Sequence, residues 1–408
     1  MLQVPASVKS KLFNIKLKDL IFIGLVIFIA GYFLTPNGSA HHRIYYALVL
    51  APMLFLGWGQ LFKPFRENAL IKLCYVFIVY MAMTRLWPSG EGHKPIYKSF
   101  VYGVYIISFL TVLYLTYTEK NSHKESYINI IIIIIGLLSA AVSLFSYFDH
   151  VFISEDVGKF YRLTNVLAGD DFNPSPSGRY FGFAALFSLL YLYGGGYKKI
   201  KVLAVISFAS CLLALLLAHG RGPMLGFGLA FIVVISLAKN RKAVYLLILA
   251  VVLVSLYSFM DLEFLQRLVD RGSSHRLDIY KAVFTVAMET PYWGRGLTAS
   301  TYKLGNEYGN HCHSVFLAVL VYGGFVGLIL FSLVLSLSYK FSWKVFKHNG
   351  DIGPIALLTY GIGCYLFDGD KLINHPKGEW LLIWLPIAYV AAKYSRSCVK
   401  SPDADVNK

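Results

Sequence analysis

Apolar residues recur along the chain in blocks of about 17–22, separated by short polar connections. At 1.5 Å per residue, each block can cross a hydrocarbon core of roughly 30 Å as a helix. The pattern predicts helices near 20–35, 44–62, 69–86, 99–118, 127–147, 179–194, 202–218, 224–238, 243–260, 326–341, 353–367 and 380–393. The first block lacks a small-residue cleavage site and many more follow, so it reads as a retained helix rather than a signal peptide. The expected fold class is an all-α integral membrane protein, a single polytopic membrane domain over 1–408 with about 12 transmembrane helices. One stretch, His313 to Tyr339, is too long for a single straight span and is interrupted by Gly323-Gly324, with Gly327 one turn later. It predicts a short outer helix to about Tyr322 that tilts at the glycines into a membrane helix.

Composition agrees: 57% of residues are hydrophobic and 15% charged, against roughly a quarter charged in soluble domains. The net charge of +16 invites a nucleic-acid reading, which its distribution removes. With connections assigned alternately from a cytoplasmic N-terminus, the inner set holds 22 Lys+Arg and 7 acids, the outer set 16 basic and 15 acidic residues. That is the positive-inside bias, so both termini are expected in the cytoplasm and no nucleic-acid partner is needed.

A second asymmetry concerns chemistry. Nine of the 12 arginines fall in the outer set (Arg43, Arg85, Arg162, Arg179, Arg221, Arg267, Arg271, Arg276, Arg295), but only 7 of the 26 lysines. Orientation is indifferent to which cation supplies the charge, whereas a forked guanidinium suits multi-donor recognition of an anion such as phosphate. The elaborated connections are also outer: a periplasmic loop at 148–178, and a larger segment at 261–325 expected to form a helical lid. The five cysteines suggest no disulfide framework.

His313-Ser314, nine residues, Gly324, two residues and Gly327 resemble the His-[Asn/Ser/Gln]-X9-Gly-X-X-Gly signature of bacterial O-antigen ligases. His311 gives the His-X-His spacing of enteric members, and Arg221 in His219-Gly220-Arg221-Gly222 is similar to the family's short Arg-containing outer turn. Arg276, followed by Pro291 and Gly294-Arg295-Gly296, resembles the Arg…Pro…Gly-X-Gly pattern of the long outer loop, and Asn173-Pro174 the family's Asn-Pro segment. The likeness spans about 160–340; the chain departs from it at His219-Gly220, where the family often has Ser before the Arg.

The resemblance implies a GT-C-like membrane glycosyltransferase of the Gram-negative inner membrane with a periplasmic active site. It would move O-polysaccharide from undecaprenyl pyrophosphate, the donor, to a sugar hydroxyl of lipid A–core, the acceptor, with membrane lipids around it. The chemistry then needs fixed positive charge for the leaving pyrophosphate and a base of pKa near 7 for a weakly acidic hydroxyl. His313 is the expected catalytic base, Arg221 and Arg276 the pyrophosphate ligands, and His311, Arg179 and Arg43 supporting residues. Neighbouring arginines would hold His313 unprotonated.

Duller readings compete. Arg221 could snorkel at the interface, Arg276 could pair in solvent with Asp278, and Arg43, Arg85 and Arg179 could simply mark helix ends. No metal or other cofactor is expected, although Asp368-Gly369-Asp370 matches the Asp-X-Asp of metal-dependent transferases, and His311 and His313 could chelate with Glu307. The alternative functions are an O-antigen polymerase using the same donor and, from another class, a lipid-linked oligosaccharide flippase or transporter. A transporter would place its polar groups near the bilayer midplane, not at outer helix ends.

Overall fold

The computed structural model describes residues 6–36, 38–87, 95–119, 123–153, 162–169, 174–194, 198–238, 276–297, 302–304, 307–309, 311–369 and 371–398. The expected helix at 243–260, and with it 261–275 of the expected lid, lies outside these residues.

Long apolar helices dominate the chain. Among the described residues, six are long and apolar enough to cross a membrane, within Leu17–Leu34, Ala69–Leu86, Tyr97–Thr118, Lys124–Val151, Lys198–Leu217 and Val315–Asn349. Arg221–Leu237 and Gly353–Leu366 are shorter apolar helices, and Pro174–Gly194 and Leu385–Cys398 pack among them. The chain is thus a multi-span, essentially all-helical membrane protein, with one small antiparallel pairing of Tyr302–Leu304 and Glu307–Gly309.

Lipid tails remove the hydrophobic drive between helices, so packing rests on close backbone approach and buried polar contacts. Arg221–Leu237 and Gly353–Leu366 cross where Gly226 meets Gly363; a Cβ on Gly226 would lie 2.8 Å from Cys364 N and from Tyr360 O. At one end of the bundle, Lys393 lies between Glu125 (2.6 Å) and Asp351 (2.9 Å), and Arg396 and Tyr389 also reach Glu125. Asn68 caps Ala69–Met83 by accepting from Leu70 N–H and Ile71 N–H, and its amide donates to Ala391 O and Ser395. The connections at this end, 118–124, 194–198 and 349–353, are short.

One predicted span is corrected. The apolar run 44–62 is not a single helix: it lies in Gly38–Tyr45, a π-helical turn Tyr46–Leu50 and Ala51–Met53, followed by a turn and short helices Trp58–Leu61 and Lys63–Glu67. The helix starts six residues earlier than the hydropathy suggests, so by Met53 it has already risen about 24 Å. Of the apolar residues that follow, Leu54, Phe55 and Trp58 are each at least 70% exposed on the protein, as suits interfacial positions.

The expected break at the paired glycines is present. Val315–Asn349 is continuous except at Gly324, whose φ 62°, ψ −165° lies in a region essentially closed to other residues. A break inside a membrane helix frees backbone groups that must be satisfied by protein. The 291–296 turn supplies the partners: Arg295 N–H donates to Val321 O (2.7 Å) and Gly296 N–H to Tyr322 O (3.1 Å), while Phe325 and Val326 N–H donate to Pro291 O (2.7 Å) and Tyr292 O (3.2 Å). Tyr80 Oη donates to Gly323 O (2.6 Å). Pro291 and Gly294-Arg295-Gly296 therefore act as a plug for the break. Gly294 fits because a Cβ there would lie 2.5 Å from Gly323 N.

Gly324→Ala forces a Cβ onto Tyr292 O in a forbidden conformation. It should lower the thermal midpoint of the purified protein by the equivalent of about 2–4 kcal/mol. Gly228→Ala, in open space within Arg221–Leu237, should leave the midpoint unchanged or slightly raised. Equal midpoints for the two variants would contradict the plugged-break account.

Candidate functional site

A cavity of ≈ 520 Å³ lies at the end opposite the Lys393 network. Its lining is Arg162, Ser175, Pro176, Arg179, His219, Gly220, Arg221, Gly222, Arg276, His311, His313 and Asp368. Most lie at or beside helix ends, and Arg162 lies in the 162–169 segment. Ser175 and Pro176 open Pro174–Gly194, Arg221 and Arg276 are the first residues of their helices, and His313 precedes Val315–Asn349. Asp368 follows Gly353–Leu366. Four helices thus begin beside one cavity, and their positive dipole ends favour an anion there. Among the described lining residues, four arginines face a single carboxylate.

The turn that delivers Arg221 is tight. His219 takes φ 49° and Gly220 is extended, so that helix Lys198–Leu217 gives way to Arg221–Leu237 within three residues. His313 is the other non-glycine residue with positive φ among those described, at 50°. Left-handed backbone in two histidines of one pocket is costly and persists where the surroundings dictate it. At His313 those surroundings are visible: Tyr280 Oη donates to His313 O (3.0 Å), and His313 N–H donates to His311 Nδ1 (3.2 Å). The two imidazoles lie 4.3 Å apart.

Arg276 does not need Asp278 as its anchor. It donates from Nη1 to Phe367 O (2.7 Å) and lines the cavity. Arg179 stands 3.6 Å from Asp368 Oδ2, which also accepts from Ser175 Oγ (3.0 Å), while Gly369 N–H donates to Oδ1 (2.8 Å). Burial alone would raise the Asp368 pKa; Arg179, the Gly369 N–H and Ser175 together overcome it and hold the carboxyl below its usual range. Arg179 is thereby committed largely to fixing Asp368. His313 is half-buried, and its Nδ1 makes no hydrogen bond among the described residues. Its pKa is lowered, first by burial, then by His311 and Arg276, with Asp368 opposing. An imidazole in this setting is neutral at neutral pH and can accept a proton.

Of the residues singled out in the sequence, Arg221, Arg276, His313, His311 and Arg179 share the cavity. Arg43 does not: it is exposed on Gly38–Tyr45, away from the lining. Arg85 is buried beyond Ala69–Met83 and is also absent from the lining. Asn173 and Asp370 lie outside the described residues. Arg162, Ser175, His219 and Tyr280 belong to the site but were not singled out for it. Arg162 was visible only as one of nine outer arginines, and nothing local marks the other three.

His311, His313 and Asp368 offer ligand atoms within 4.8 Å of one another, close enough to share a metal ion. The third member of this set is Asp368; the side chain of Glu307 lies outside those described. Against it stand the nearby Arg276 charge and the prior commitment of Asp368 to Arg179, Ser175 and Gly369.

Residues 206–332 match the family model described as O-Antigen ligase. The matched segment contains Arg221, Arg276, His313 and the broken helix, but neither Arg162 and Arg179 nor Asp368. Over 389 residues the chain is 25% identical to the O-antigen ligase of Pseudomonas aeruginosa, covering 91% of this chain and 89% of that protein.

Diethyl pyrocarbonate modification of His313, followed across pH by mass spectrometry, should report a midpoint below about 6.5, the ordinary histidine value. Arg276→Ala removes a depressing charge and should move the midpoint up, whereas Asp368→Asn removes the opposing charge and should move it down. Shifts of the opposite sign would contradict this electrostatic picture.

Proposed function

We propose that the chain is an O-antigen ligase, in line with the family model matched over residues 206–332 and the 25%-identical relative, and that it transfers O-polysaccharide from undecaprenyl pyrophosphate to a sugar hydroxyl of lipid A–core in lipopolysaccharide biosynthesis. The observation that carries this reading is the convergence of Arg221, Arg276 and His313, far apart in the chain, on one cavity of ≈ 520 Å³. The cavity faces the periplasm at the outer leaflet of the bacterial inner membrane, and both termini are cytoplasmic. Support comes from the charge distribution: the connections at the opposite end belong to the set with 22 basic and 7 acidic residues. Both lipid-linked substrates then arrive by lateral diffusion.

His313 takes the proton of the acceptor hydroxyl as its oxygen attacks the anomeric carbon of the donor. The bond from that carbon to the pyrophosphate oxygen breaks, its electron pair leaving with the lipid pyrophosphate. A single displacement inverts the anomeric centre. Charge grows on the departing oxygen, and Arg221 and Arg276, with the helix N-termini beside them, are placed to stabilise it. Asp368, fixed by Arg179, keeps the His311–His313 corner from being purely cationic, which moderates the lowering of the His313 pKa. Arginines fill the role that a divalent ion would otherwise take, so the reaction is metal-independent.

Expression of His313→Ala in a ligase-null strain, at protein levels equal to wild type, should leave lipopolysaccharide without its O-antigen ladder. In vitro the loss should be about 10²- to 10⁴-fold, the usual worth of a positioned base. A chelator should leave wild-type transfer intact. Abolition by chelator with rescue by Mg²⁺ or Mn²⁺ would instead assign His311, His313 and Asp368 to a metal.

A further inference from the structure

We propose that Arg162 is a positioning residue that clamps the 218–220 turn and so aims Arg221 into the pocket. The proposal rests on the reading of Arg221 as a pyrophosphate ligand.

Arg162 lines the cavity, yet its fork is directed at backbone. Nε and Nη2 both donate to Ala218 O (3.1 and 2.9 Å), and Nη2 donates also to His219 O (3.3 Å). These carbonyls follow the end of Lys198–Leu217, where helical acceptors have lost their partners and a cation is favourably placed. Between them and Arg221 stand only the left-handed His219 and Gly220. If the clamp is lost, His219 can return to negative φ, and the change in chain direction is delivered two residues later to the first residue of Arg221–Leu237.

The segment bearing Arg162 is moored for this role. Leu163 N–H donates to Leu217 O (3.1 Å), beside the turn itself. Asn165 is fully buried: its N–H donates to Ser177 Oγ (2.9 Å), its amide to Phe33 O (3.1 Å), and its Oδ1 accepts from Ser139 Oγ (2.8 Å). Val166 N–H donates to Ser143 Oγ (3.2 Å). Residues 162–169 are therefore a strap fastened to helices Ala6–Leu34, Lys124–Ile153, Pro174–Gly194 and Lys198–Leu217, with Arg162 as its first described residue. A loop residue that served only as a mobile charge for an incoming anion would need no such mooring. Lysine carries the same charge but cannot fork across two adjacent carbonyls.

The test is a double-mutant cycle on the purified full-length protein, read as kcat/KM for the lipid-linked donor, with thermal midpoints recorded for each variant. Arg162→Ala should lower kcat/KM by about 10- to 100-fold, and Arg162→Lys nearly as much. Arg162→Ala combined with Arg221→Ala should be no worse than Arg221→Ala alone, because a clamp has nothing left to aim. Multiplying losses, near-complete rescue by Arg162→Lys, or unimpaired transfer by Arg162→Ala would each overturn the proposal. If Arg162→Ala does not accumulate, Arg162→Lys with Arg221→Ala closes the same cycle. Wild-type transfer by Arg221→Ala alone would overturn the parent reading instead.

Discussion

Among the described residues, four guanidinium groups that share one cavity with a single carboxylate repel one another, and the local architecture is organised around holding them there. Each is restrained differently. Arg179 is neutralised by Asp368, Arg276 is tied to Phe367 O, Arg162 grips two carbonyls of a turn, and Arg221 is fixed by that turn at the start of its helix. Backbone carbonyls restrain a guanidinium without cancelling its charge. The pocket therefore keeps a strong positive field for an anion, as a pocket of ion pairs would not.

The same field bears on the proposed base. Burial is the first cause that lowers the His313 pKa, and His311 and then Arg276 push in the same direction. What prevents the imidazole from becoming too poor a base is Asp368, held ionised by Arg179, Ser175 and Gly369. The left-handed backbone at His219 and His313 shows that geometry here is dictated from outside, by Arg162 at one residue and by Tyr280 and His311 at the other. The plugged break at Gly324 fits the same scheme. It ties the turn after Arg276–Met288 to the helix that begins just beyond His313, so two parts of the site are held to each other.

Much of this was legible in the sequence where local sterics or periodicity decide. Hydrophobic blocks gave most helices to within a few residues, and Gly323-Gly324 marked the break because glycine alone tolerates that backbone. The span at 44–62 was misread because hydropathy does not register where a helix begins when its first turn, Gly38 to Arg43, is polar. Arg43 was left open between pyrophosphate binding and the interface, because an excess of outer arginines does not reveal which way each one faces. The plug formed by Pro291 and Gly294-Arg295-Gly296, and the clamp formed by Arg162, depend on partners distant in the chain. Asp368 drew attention through an Asp-X-Asp match, and its observed partners give that carboxylate a different role.

The central claim is a division of labour in which the arginines hold the donor and the histidine acts on the acceptor. Equilibrium binding of undecaprenyl pyrophosphate to purified variants measures this most directly. His313→Ala should bind as wild type does, and Arg221→Ala and Arg276→Ala should bind at least tenfold more weakly, about 1.4 kcal/mol or more each. Unchanged binding in both arginine variants, or its loss in His313→Ala, would contradict the account.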